Sequence, residues 1–373
     1  MKTVVTAILL IFGHLTHAQL FDHPERMSLV SSGVHNIYNL NKDSAQYYIS
    51  RVEAELGKHP AVPMMRALKV LWENIPLVTV DSVFKTFSGE LREVIKLSAT
   101  LDGGRQTHPE AIFFEMSARG LLAEYYADEG HYMKAIGEAG KAYDLVKKGF
   151  ELSDKIPEFL LTTGVYNYFR EKYPEKYPAF KPLLWFFRGG DVKLGLKQID
   201  EATKKAVLTN VEAHVYMAYI YLRYEYEPAK AQKYLWSLTR EYPQNLYMKT
   251  KLLESLLTGE DIRQAPLQMI NDLKLSKRPY YKLAGASFQG IYLEKVEQNS
   301  QAAIASYQAT IEYWKSIPDY GEFYRDLAYL GLGRVYLQRK ESDLARANLE
   351  WVIDESDAES LIKEAEMLLD SLE

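Results

Sequence analysis

One spacing recurs along this chain, and only paired helices can use it. Ala123, Tyr126 and Ala135 set a small residue, a tyrosine three positions on and an alanine twelve on; Gly333, Tyr336 and Ala345 repeat the interval. Ala218, Tyr221 and Ala231 keep it with one added residue, Gly33 and Ala45 keep its outer spacing, and Tyr292, Ala303 and Tyr307 give a looser copy. The small residue lets a second helix approach closely, and the tyrosine fills the gap between neighbouring hairpins. The alanine sits at the crossing, where a larger side chain would push the helices apart. A proline such as Pro243 then stops the second helix before the next unit.

Helical periodicity is the only strong local pattern. Phe84, Phe87, Leu91, Val94 and Leu97 recur at three and four and form one apolar face. The best strand candidate, Val78-Thr79-Val80, is too short. Turns fall at His59-Pro60, Asp102-Gly103-Gly104, Tyr242-Pro243 and Ile317-Pro318. Thr107 with Glu110, and Asp319 with Glu322, fit capping boxes. The expected fold is all-α: an α-solenoid of stacked antiparallel hairpins in one domain over 19–373. Eight hairpins are predicted, at about 28–57, 61–101, 109–152, 156–208, 210–241, 244–275, 278–317 and 319–355. A last amphipathic helix, about 359–372, carries Leu361, Ile362, Ala365, Leu368 and Leu369 on one face and caps the open end with its acidic other face.

The rhythm breaks once, inside 160–199. A helix from about residue 159 runs into Pro174, Pro178 and Pro182; Trp185-Phe186-Phe187 and Arg188-Gly189-Gly190-Asp191 follow, so about 173–191 is predicted irregular. Asp191 is placed to cap the next helix, and that helix start beside Arg188 could hold an anion. Asn167 and Tyr168, in the helix before the break, belong to the same possible anion or ligand site. Asn is a poor mid-helix residue, so Asn167 either bonds across to the proline-rich loop or faces a ligand.

The anchors and the unit length resemble those of tetratricopeptide repeat proteins, best around 117–146, 214–245 and 328–353. The tryptophan that often opens such a repeat is missing, and several turns carry insertions. The central block GVYNYFREKYP…GGDVKLGL also resembles a feature of exported bacterial tetratricopeptide proteins. The resemblance implies a solenoid and a concave binding surface, and it implies no activity.

The first 18 residues resemble an export signal: Lys2, an apolar run over 4–12, and Thr16-His17-Ala18 ahead of a cleavage point before Gln19. No later segment has about twenty uninterrupted apolar residues, so no transmembrane segment is expected. The chain has no cysteine, which removes disulfides, thiolate metal sites, cysteine catalysis and a lipid-anchored N-terminus. The expected location is periplasmic or secreted. A formal charge of −5 with both signs interspersed argues against nucleic acid. The 28 tyrosines suit helix-on-helix packing.

No H-E-x-x-H, G-x-S-x-G or P-loop pattern is present, so no catalytic residue, metal ligand or cofactor is assigned. By register, the inner face of the first helices carries Glu124, Asp128, Tyr219, Arg223, Arg334 and Gln338. Such a groove suits an extended peptide or a partner helix. The reading is a non-catalytic, exported interaction scaffold with a protein or peptide partner in the cell envelope. Two rivals stand beside it. One is a glycan-binding helical-repeat protein using exposed rings such as Tyr173, Tyr177 and Trp185; the other is an enzyme with its site at the central break.

Overall fold

The computed structural model describes residues 20–372 except 177, 179–180, 182–184, 186, 260 and 261. The export-signal segment, Tyr177, Pro182 and Phe186 therefore lie outside the described residues. The described chain is helical throughout, with no strand. Hairpins pair α1 (Pro24–Tyr38) with α2 (Lys42–Leu56), α3 (Ala61–Asn74) with α4 (Asp81–Leu101), and α5 (Pro109–Asp128) with α6 (Tyr132–Leu152). They continue with α7 (Phe159–Lys176) and α8 (Val192–Lys205), α9 (Asn210–Arg223) and α10 (Pro228–Glu241), and α11 (Leu246–Leu257) and α12 (Leu267–Leu275). Then come α13 (Pro279–Lys295) with α14 (Ser300–Trp314), α15 (Glu322–Gln338) with α16 (Ser342–Glu355), and a single α17 (Glu359–Asp370). These are the eight predicted hairpins and the capping helix, packed in sequence order as in an α-solenoid.

The spacing read from the sequence has a steric cause. A Cβ added at Gly333 would stand 2.5 Å from Leu349 of the partner helix. The later alanines, Ala45, Ala135, Ala231, Ala303 and Ala345, are all buried. The turn repeats as well. Leu40, Gly130, Tyr226, Gln298 and Lys340 all have positive φ, and each stands five residues before one of those alanines. In three of these turns the next N–H reaches back into the finished helix: Asn41 to the Asn36 carbonyl, His131 to Tyr126 and Glu341 to Tyr336, at 2.8–3.0 Å. This closes the helix end in Schellman fashion and satisfies a carbonyl that would otherwise be orphaned.

Three local expectations are corrected. Helix α7 continues through Pro174 to Lys176 instead of stopping near residue 172, although Pro174 has no N–H for the Arg170 carbonyl. The N-cap of α5 is His108, whose ring accepts the Glu110 N–H at 3.3 Å. The Glu110 carboxylate is drawn elsewhere: it accepts the N–H groups of Leu20 (2.6 Å) and Phe21 (2.9 Å) and meets buried His59 at 3.0 Å. The start of α15 is Gly321 in the left-handed region, with no side-chain cap from Asp319.

The first helices of successive hairpins also touch one another (α1 on α3, α7 on α9, α11 on α13, α13 on α15) and build an inner wall. That wall closes on itself. Tyr38 at the end of α1 packs edge-on against Trp72 and Tyr242, and its hydroxyl donates to Glu212 of α9. Asn245 donates to the Tyr38 carbonyl at 2.8 Å. Arg278 at the start of α13 caps the end of α3, donating to the carbonyls of Glu73 (3.3 Å), Asn74 and Ile75 (2.8 Å). The hydroxyls of Thr79 and Tyr320 are bonded at 2.5 Å. One buried cluster accordingly unites Val34, Tyr38 and Trp72 with Val211, Leu238 and Met248. The solenoid is closed, with its first hairpins seated against its second half.

Candidate binding groove

The inner wall keeps a cavity of about 560 Å³ between α9, α11, α13, α15 and α17. That is within the roughly 300–1,000 Å³ range of ligand pockets. Helix α9 supplies Leu222 and Arg223, α11 supplies Glu254, and α15 supplies Phe323 and Arg334. A second cavity of about 20 Å³, room for about one water, shares Leu222 and Arg223 and adds Tyr219, Tyr247 and Lys251.

Ion pairs between neighbouring inner helices set the shape. Glu254 is fully buried; Arg223 of α9 lies against its Oε1, while Lys251 and the Tyr324 hydroxyl each donate to its Oε2 at 3.0 Å. Burial alone would raise this carboxyl, but the Arg223 and Lys251 charges outweigh it and hold the pKa at about 2. Burial also pulls Lys251 below its usual value, with the Glu254 charge opposing. Arg334 of α15 grips Glu294 of α13 with two donors, at 2.6 and 2.9 Å, and reaches Glu364 of α17 at 2.9 Å. Tyr307 completes this second cluster by donating to Glu294 at 2.5 Å.

The structure brings Tyr219, Arg223 and Arg334 to these cavities. Two of them have a different role from the one register implied. Arg223 and Arg334 are helix-to-helix ties, whereas a spare groove side chain was expected; Tyr219 is 44 % exposed, with its ring against Phe169 and Tyr224. Glu124 and Asp128 lie on α5. The Tyr216 hydroxyl of α9 donates to Glu124 at 3.3 Å. Glu124 keeps solvent access, but it lies between α5 and Tyr216 of α9. Burial, then the Asp128 charge, pushes its carboxyl up to about 7. Burial likewise raises Asp128. Gln338 is exposed at the end of α15 and outside the lining of the large cavity.

Each of the four residues at the central break has a partner within the protein. Asn167 is buried and donates to Gln198 Oε1 of α8 at 2.7 Å, so among the described residues its side-chain partner is on the next helix. Tyr168 is buried and donates to Glu225 at 2.5 Å. Asp191 accepts the Leu194 N–H at 2.9 Å and so caps α8. Arg188 lies over the Phe150 ring, 4.6 Å from its centroid, with its backbone N–H on the Tyr143 hydroxyl at 2.8 Å. Trp185 is 85 % exposed, and Tyr173 is half-buried.

Sequence reasoning missed Glu254 and Glu294, because a glutamate mid-helix carries no local sign of burial. It also passed over the exposed carboxylates Glu322, Glu355 and Asp357 that border the large cavity. Among the described residues no group of three or more His, Asp or Glu is placed to hold a metal ion. No helix among them is long and apolar enough to cross a membrane. No protein-family model matches the chain, and no curated protein matches it.

Proposed function

We propose that this chain is an exported, non-catalytic scaffold of the tetratricopeptide type, holding a peptide or a partner protein against the inner wall of its superhelix. The observation that carries the reading is the large cavity at Arg223 and Arg334, which is already shaped without a partner. Ion pairs between neighbouring helices fix its walls, so little conformational entropy is lost when something binds there. The recurrent left-handed turn before each buried alanine supports the tetratricopeptide resemblance. The features of residues 1–18 support export to the periplasm or beyond.

Tagged full-length protein, crosslinked in its native cell envelope, tests this reading. The control carries Tyr219→Ala, Tyr226→Ala and Lys295→Ala together, which alter the cavity surface and spare the Arg223 and Arg334 ties. One protein recovered with wild type and lost with the folded control supports the scaffold. Equal recovery with both removes the inner wall from the function.

One observation favours glycan binding as a second reading: the indole of Trp185 is free to stack on a sugar ring. A glycan array probed with wild type and Trp185→Ala separates the two.

A further inference from the structure

We propose that the surface around Trp185, at the central break, seats this protein on an anionic lipid membrane, with the indole at the bilayer interface and the flanking lysines on the headgroups. The inference is independent of the groove reading, since its residues line neither cavity.

The first observation is how Trp185 is presented. It is 85 % exposed, whereas the other four tryptophans are buried or half-buried. The backbone just after it is fastened to the fold. The Phe187 ring packs edge-on against Tyr143, with 4.7 Å between centroids. The Arg188 N–H donates to the Tyr143 hydroxyl at 2.8 Å, and the Arg188 carbonyl accepts from the Tyr166 hydroxyl at 2.5 Å. The Gly190 N–H donates to Glu171 at 2.8 Å. The indole therefore projects from an anchored base. Leu194, 40 % exposed on the first turn of α8, adds an aliphatic side chain to the same stretch. Tryptophan suits a bilayer interface because its ring is apolar while its N–H still reaches water.

The second observation is charge. Between residues 181 and 197, Lys181, Arg188, Lys193 and Lys197 stand against one carboxylate, Asp191. All four cations are exposed, and Asp191 is occupied in capping α8. Lys181 and Lys193 have no ion-pair partner among the described residues, and the Glu201 partner of Lys197 stands 3.9 Å away. The whole chain carries −5, so this stretch runs against the overall sign. A projecting tryptophan among basic side chains complements an anionic lipid surface. A small-molecule site is concave and covers most of its ligand; a ring exposed to this extent lines no such recess.

The test is sedimentation of the protein, purified from its native envelope, with vesicles of phosphatidylglycerol and phosphatidylcholine in equal parts, and with vesicles of phosphatidylcholine alone. Wild type is compared with Trp185→Ala and with a Lys181→Gln, Lys193→Gln, Lys197→Gln variant. Every changed side chain is exposed, and circular dichroism checks that both variants keep the fold. Wild type should sediment with the anionic vesicles, come off as salt is added, and leave the neutral vesicles largely unbound. Each variant should partition about tenfold less. No binding to the anionic vesicles overturns the proposal. Loss in the lysine variant alone also overturns it, because that is adsorption by charge with Trp185 idle. Equal binding by all three proteins places the contact elsewhere, and equal binding to neutral vesicles removes the anionic lipid; either result contradicts the proposal. Glycan-array hits that vanish in Trp185→Ala, with vesicle binding unchanged, assign the ring to sugar instead.

Discussion

Arg334 on α15 and Glu294 on α13 face each other through two contacts, Nε to Oε1 at 2.6 Å and Nη2 to Oε2 at 2.9 Å, with Glu294 almost wholly out of solvent. A paired guanidinium in this position makes the carboxylate tolerable. Removing it leaves a buried charge whose remaining support is the Tyr307 hydroxyl. Arg334→Met should therefore destabilise the fold by about 3–5 kcal/mol, the usual consequence of breaking a buried pair from one side. Urea unfolding measures it, and a loss below about 1 kcal/mol, the range of exposed pairs, would contradict the role given to Arg334.

Helices α7 and α8 cross at two glycines. A Cβ on Gly195 would lie 2.7 Å from the Tyr168 nitrogen and 2.8 Å from the Gly164 carbonyl, both backbone atoms that cannot swing aside. Gly195→Ala is expected to cost about 1–3 kcal/mol through overpacking. Gly89, within α4 and with open space around it, is the control: Gly89→Ala should stabilise by about 0.5–1 kcal/mol. Thermal melts of the two variants should move in opposite directions.

The closure of the superhelix has a pH signature. Burial raises the Glu212 carboxyl from 4.5 to about 8, and Tyr38 reaches it across the closure. The folded state therefore holds a proton that the unfolded chain has released. The stability from this group is fully present below 4.5 and is lost as pH rises through about 8. In Glu212→Gln, which keeps an oxygen for the Tyr38 hydroxyl, that part of the pH dependence should vanish. Unfolding midpoints at pH 5 and pH 8 decide it, and parallel shifts in wild type and variant would refute the assignment.

Export is read from residues 1–18 alone. Intact mass of the protein taken from the envelope fraction should correspond to a chain that begins at Gln19. A chain retaining Met1 in that fraction would overturn the reading.

The hairpins were legible because their signal is steric and local. Gly333 must be small for Leu349 to approach, and Ala345 must be small at the same crossing, so residue size alone reports the geometry. Closure was not legible. Tyr38 and Glu212 stand 174 positions apart, and nothing in the neighbourhood of either names the other. The capping box read at Thr107 and Glu110 failed for a related reason, since distant Leu20, Phe21 and His59 compete for the same carboxylate. Arg223 and Arg334, which register assigned to the inner face, line the large cavity. Their partners Glu254 and Glu294 were invisible, because a helical glutamate reads as solvated until the fold buries it.

The central claim is that the inner wall is the working face. It is tested most directly by a photo-crosslinking amino acid placed singly in the full chain, at Tyr226 on the cavity wall or at Tyr47, 55 % exposed on α2. Irradiation in the native envelope should give a defined adduct from position 226 and none from position 47. An adduct from position 47 alone, or identical adducts from both, would contradict the account.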